Sequence, residues 1–188
     1  KSYLLFLIDS SLSMNIKDQY SIKDSEQLEK TLQVGKKDIA MMTRNDITQR
    51  MIGNSQALKS LQEECEVKFF QFDSDFALAN SFSEIKPSGQ RTDIYQNLIK
   101  AIDFYRGKTI SGIFLISDGQ HNTSPNVAKK EQALQQVVTH SNQRDISIFT
   151  VGIGSDTKKK DIVLAGVEAP EIALIDDKIK FDLEIKHS

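Results

Sequence analysis

One cysteine, Cys65, stands in the 188 residues, and that excludes an internal disulfide and every metal motif built from several thiolates. Basic residues do not gather either. The 24 Lys and Arg face 26 Asp and Glu for a net charge of −2, and the one dense run, Lys158-Lys159-Lys160, follows the turn signal Gly154-Ser155-Asp156 and reads as a solvated linker. Without a clustered basic face, a nucleic-acid or anionic-membrane surface is not expected. Long apolar runs are also missing. Tyr3 to Ile8 and Ile113 to Ile116 fall far short of the ~20 residues of a membrane span. No secretory leader and no internal repeat are visible.

What is present alternates. Tyr3-Leu4-Leu5-Phe6-Leu7-Ile8 is apolar throughout and stops at Asp9, the pattern of a central parallel strand covered on both faces. Ile113 to Ile116 before Ser117-Asp118, Ile146 to Val151 before Gly152, and Val67 to Phe72 before Asp73 repeat it. Helical spacing runs through Asp38 to Met51, Gln56 to Glu64, Asp93 to Tyr105 and Lys129 to Ser141, with Ile94, Leu98, Ile99 and Ile102 on one stripe. Alternating strands and helices predict an α/β fold with a mostly parallel, Rossmann-like sheet flanked by helices. The length suits one such domain, over residues 1–154, and an attachment over 155–188. Met14 to Asp38 departs from the rhythm. It is too polar for core, holds a possible short helix at Ser25 to Leu32, and reads as a surface insertion near the site. After Gly154, the segments Asp161 to Val167, Glu171 to Ile175 and Lys178 to Lys186 read as strands without intervening helices. In the last, Ile179, Phe181, Leu183 and Ile185 alternate with polar residues, as in the opening strands of a β-sandwich. A start almost directly on a buried-type strand and an end inside an alternating one look like a segment cut from something longer, so membrane anchors are expected outside it.

Three fragments carry the chemistry. Asp9-Ser10-Ser11-Leu12-Ser13, Arg91-Thr92-Asp93 and Ser117-Asp118-Gly119 supply two carboxylates, Asp9 and Asp118, and three hydroxyls, those of Ser11, Ser13 and Thr92. An all-oxygen set without His or Cys suits a hard ion, Mg²⁺ before Zn²⁺. Taken singly, the first fragment is a turn with side-chain to backbone bonds, Thr92 a helix cap and Asp118-Gly119 a turn dipeptide. Together, each at the end of an apolar strand or the start of a helix, they read as one cation site.

The first fragment resembles the DxSxS motif of the von Willebrand factor type A domain, with Asp9, Ser11 and Ser13 on its positions. Thr92 resembles the threonine of the second loop of that family's metal-ion-dependent adhesion site, and Asp118 the aspartate of the third. The resemblance covers about Lys1 to Gly154. It implies that Ser11, Ser13 and, with ligand bound, Thr92 coordinate the ion directly, while Asp9 and Asp118 act through water and orient the serines. It implies Mg²⁺, or Mn²⁺ or Ca²⁺ in its place, and a protein partner whose Asp or Glu completes the octahedron. The chain departs from the family in its long connection from Ser13 to the second strand and in lacking the final helix and strand after Gly154. Val167-Glu168-Ala169-Pro170-Glu171 resembles instead the junction of bacterial cell-envelope A-domain proteins, which implies a membrane-tethered, extracytoplasmic parent, with a cytoplasmic one as the alternative.

The expected function is therefore divalent-cation-dependent protein binding without catalysis. Two rivals remain at this level. One is a Mg²⁺-dependent phosphoryl-transfer enzyme with Asp9 as nucleophile, although a haloacid-dehalogenase-like phosphatase wants a second Asp where Ser11 stands. The other is the same module with a purely structural metal. Elsewhere the readings are plain. Asp73 to Phe76 is a turn into an edge strand, His121 an exposed loop histidine, Cys65 a small buried hydrophobe, and Met41, Met42 and Met51 pack a helix.

Overall fold

Leu4 to Asp9 are all buried, as a strand flanked by neighbours on both edges and helices on both faces requires. In the computed structural model, which describes residues 1–123, 127–155, 162–168 and 181–187, this strand is β1 (Tyr3–Asp9). Beside it lie β2 (Glu66–Phe72) and β4 (Ile110–Ser117), and outside those β3 (Phe76–Ala79) and β5 (Ile148–Gly152). The sheet order is β3-β2-β1-β4-β5. Every pairing is parallel except β2 with β3, where the chain turns back at the edge. The fold of this unit, Lys1–Ser155, is thus α/β with a five-stranded, mostly parallel sheet.

Alternation along β1 splits the core in two. Leu5 and Leu7 join Phe70 and Phe72 under Ile94, Leu98 and Ile102 of α5 (Ile94–Phe104) and Val137 of α6 (Val127–Gln143). Leu4, Phe6 and Ile8 point the other way, toward Ile52 of α3 (Arg44–Gly53) and Leu58 of α4 (Gln56–Glu64). A continuous apolar strand is what two covered faces demand.

The expected helix from Asp38 to Met51 is instead two. A short α2 (Lys36–Ile39) ends, and α3 restarts after Thr43. Thr43 Oγ1 accepts from the Asp46 amide, and the Asp46 carboxylate accepts from the Thr43 amide, a capping box that stabilises a fresh N-terminus. Met41 falls in the break and is exposed, so it does not pack a helix, whereas Met51 does. The polar connection holds α1 (Ile22–Leu32) and is not wholly superficial: Leu32, Ile39 and Asp18 are buried.

The second unit, Asp156–Ser188, contains β6 (Ile162–Glu168) and β7 (Asp182–His187), paired antiparallel in a sheet of their own. Phe181, Leu183 and Ile185 are exposed. The expected strand at Glu171 to Ile175 lies outside the described residues.

Candidate metal site

Because β1 and β4 are parallel neighbours in register, with Ile8 opposite Ile116, the loops leaving them emerge side by side at the carboxyl end of the sheet. In the order β3-β2-β1-β4-β5 the strands that follow β1 are laid first on one side of it and then on the other, and such a switch between neighbouring parallel strands is where open α/β sheets take up ligands. The first loop is stitched down. Asp9 is fully buried; its Oδ1 accepts from the Ser11 amide at 2.9 Å and its Oδ2 from Ser117 Oγ at 2.6 Å. Ser10 Oγ donates to the Phe72 carbonyl. The hydroxyls of Ser11 and Ser13 lie 2.9 Å apart. On the outer side, the amides of Ser88 and Gly89 donate to the Ser10 carbonyl, and the Leu12 amide to the Gly89 carbonyl. Gly89 sits so close to Asp73 that a Cβ there would fall 2.3 Å from that residue's Cβ. Only glycine lets the two strands of loop approach so closely.

Thr92 is buried, and it does not cap the following helix; Asp93 does, accepting from the Gln96 amide at 3.1 Å. A residue beyond the third fragment, Asn122, holds Thr92 in place. Asn122 Oδ1 accepts from the Thr92 amide at 2.7 Å, and the Asn122 amide donates to the Thr92 carbonyl. His121 is not an exposed loop histidine. Its side chain is largely covered, Nδ1 accepts from the Ile94 amide at 3.3 Å, and the ring lies against Tyr95. Burial lowers its pKa below the usual histidine value; Asp93 opposes the shift and Lys130 adds to it. The neutral ring is the form that can accept from an amide.

Asp118 leaves β4 at the same end. Its Oδ1 accepts from the Gln120 amide, and its Oδ2 accepts from Arg44 Nη1 at 2.7 Å. Arg44 is the first residue of α3, and its other edge forks onto Asp18, with Nε to Oδ2 at 2.6 Å and Nη2 to Oδ1 at 3.0 Å. One guanidinium thus ties the inserted connection to the third loop. The Asp18 bond holds the Arg44 pKa above its usual value against the cost of burial. Burial and the Asp18 charge push nearby Tyr20 up to about 12, with Arg44 opposing. Asp9 differs. Burial raises its pKa above the usual carboxylate range, the bonds from Ser117 and Ser11 pull it back, and the Asp118 charge raises it further.

The candidate residues therefore gather toward one end of the sheet, Asp9 as the last residue of β1 and the other four outside the strands. Asp9, Ser11 and Ser13 form one bonded turn, Asp118 follows the Ser117 that bonds Asp9, and Thr92 is tied by Asn122 to the chain just past Asp118. Among the described residues no three His, Cys, Asp or Glu side chains cluster to hold a metal, but the candidate set has only two of that kind and three hydroxyls. The donor chemistry fits Mg²⁺. Oxygens on adjacent vertices of an octahedron with metal–oxygen distances of about 2.1 Å are roughly 3 Å apart, and the Ser11 and Ser13 hydroxyls stand 2.9 Å apart. Arg44, Asp18, His121 and Asn122 escaped the sequence reading as parts of the site. The preceding Ala40-Met41-Met42 does not reveal Arg44, but Thr43 with Asp46 three residues on marks a helix start and could have placed Arg44 at its first turn.

No protein-family model matches the chain, and no curated protein matches its sequence. Among solved structures it is similar to proximal thread matrix protein 1 from the mussel byssus, with 14% identity over 82% of this chain and 39% of that one, and a TM-score of 0.46. The chain thus spans well under half of that protein's length.

Proposed function

We propose that the unit Lys1–Ser155 is a von Willebrand factor type A domain whose carboxyl-end loops form a metal-ion-dependent adhesion site, and that it binds a protein partner without catalysing a reaction. The observation that supports this reading is that the Asp9-Ser11-Ser13 turn and Asp118 stand at the carboxyl ends of the neighbouring strands β1 and β4, linked through Ser117, with Thr92 tied by Asn122 to the chain just past Asp118. Ser11, Ser13 and Thr92 would hold Mg²⁺, with Mn²⁺ or Ca²⁺ able to replace it, and Asp9 and Asp118 would orient the hydroxyls and their waters. The ion supplies an under-neutralised positive centre that favours an incoming carboxylate. Leu12, between the two serines, is half exposed, and a groove of ≈ 320 Å³ beside Asp118 is lined by Ile94, Tyr95 and Gly119. Both features offer apolar contact around that carboxylate.

The phosphoryl-transfer alternative asks Asp9 to be an accessible nucleophile. Its side chain is fully buried with both oxygens engaged, which favours the orienting role. The test is a binding screen with acidic peptides in Mg²⁺. Retention is expected to need both the cation and one Asp or Glu of the peptide, and to vanish in excess chelator or on replacing that residue by its amide. Equal binding by the amide peptide, or in chelator, contradicts the proposal.

A further inference from the structure

The five candidate residues include no basic group, yet a positive charge from α3 already sits against the third loop. Arg44 Nη1 is 2.7 Å from Asp118 Oδ2. This is not a loose surface contact, because the guanidinium is 14% exposed and both carboxylates it meets are 3% exposed. The arginine is also held from behind. Its amide donates to the Ile16 carbonyl, its carbonyl accepts from Thr48 Oγ1, and the capping box of Thr43 and Asp46 sets the first turn on which it stands. Gly154, at φ +131°, lies against the guanidinium, where a Cβ would come within 3.3 Å of Nε. Two oxygens of Asp18, from the inserted connection, take the fork, and a third N–H remains for Asp118.

We propose that Arg44 is an internal counter-cation that sets the affinity of the site for its divalent ion, and that Asp18 sets how much of its charge the site feels. The inference rests on the cation-binding reading above and names a regulatory residue for that same site. Asp118 is the carboxylate that would orient a coordinated water, and an arginine bonded to one of its oxygens offsets its charge. A unit charge about 6 Å from a divalent ion shifts its binding constant by roughly tenfold at the dielectric constant of water, and by more at the lower effective value of a partly buried site. Asp18 shields that charge with its own. Loss of Asp18 therefore leaves the arginine more fully on Asp118, and loss of Arg44 releases Asp118 to the ion. The inserted connection thus becomes a way to tune ion occupancy, since anything that pulls Asp18 away lowers it.

Mn²⁺ titration of the wild-type chain, Arg44→Gln and Asp18→Asn, followed by calorimetry, reads both signs, with circular dichroism confirming that each variant is folded. Arg44→Gln is expected to bind Mn²⁺ at least about tenfold more tightly, and Asp18→Asn more weakly. Both substitutions break the same ion pair, so a merely structural role would weaken binding in both. Unchanged or weaker binding by folded Arg44→Gln, with the wild type binding, overturns this inference and leaves the site standing. If Arg44→Gln does not fold, Asp18→Asn decides, and unchanged or tighter binding there overturns it. No Mn²⁺ binding by any folded form overturns both the inference and the site.

Discussion

The carboxyl ends of β1 and β4 each present one aspartate, Asp9 bonded to Ser117 and Asp118 next to that serine in the chain, and surround it oppositely. Asp9 meets only neutral donors, the Ser11 amide and the Ser117 hydroxyl, and burial raises its pKa. Asp118 meets a guanidinium that is itself shared with Asp18. A buried carboxylate without a countercharge is costly unless its lone pairs are filled, so the first loop must be rigid to deliver those donors. The third can rely on charge, and charge can be withdrawn. The first loop therefore suits a fixed frame for the serines, and the third a point of adjustment.

The sharpest way to break the first half of that contrast is Ser117→Ala. It strips a 2.6 Å bond from a buried carboxylate and also removes the acceptor of the Gly119 amide. The expected loss is about 1.5–3 kcal/mol, read as a shift in the denaturation midpoint at constant slope. A loss below about 0.5 kcal/mol would mean that the Ser117 hydroxyl is not what holds the Asp9 carboxylate.

A smaller effect tests the second loop, whose threonine depends on the chain beyond Asp118. His121 has its folded pKa lowered, so the unfolded chain binds the proton more readily between that lowered value and the ordinary one near 6.5. Its contribution to stability is present above the ordinary value and lost as pH falls through the folded one. Asp93, 4.0 Å from Nδ1, and Lys130, whose Nζ donates to the His121 carbonyl, are the charged groups that face it. Acidification through that window is expected to lower the thermal midpoint and to speed amide exchange at Ile94, and His121→Gln should flatten this part of the profile. An identical pH profile in the variant would show that the ring's neutral form is not what the second loop needs.

Much of this was legible in the residues. The strands at Tyr3, Val67 and Ile113 follow from dense apolar runs, and Gln56 to Glu64 is a helix with the bounds expected. The run at Ile148 also forms a strand, but it is outermost in the sheet and leaves Phe149 exposed, so the expectation that it is covered on both faces does not hold. The three fragments could be put at strand or helix ends because those runs stop just before them. What periodicity does not carry is contact between distant polar residues. Arg44 and Asp118 are 74 positions apart, and Arg44 and Asp18 are 26 apart, so neither pairing leaves a local trace. The helix break at Met41 was hidden because one stripe of apolar positions continues through it, from Ile39 to Ile47. His121 read as exposed because its loop is polar, while its burial comes from Tyr95 on another element.

The central claim, that the oxygens of the first and third loops form one divalent-cation site, is tested most directly by Mn²⁺ titration of the wild-type chain beside Ser13→Ala and Asp118→Ala. The account predicts weak, saturable binding by the wild type at one site and its loss in both variants, each folded by circular dichroism, because one lacks a direct ligand and the other the group that orients the ion's water. Mn²⁺ binding that is unchanged in both folded variants would contradict it.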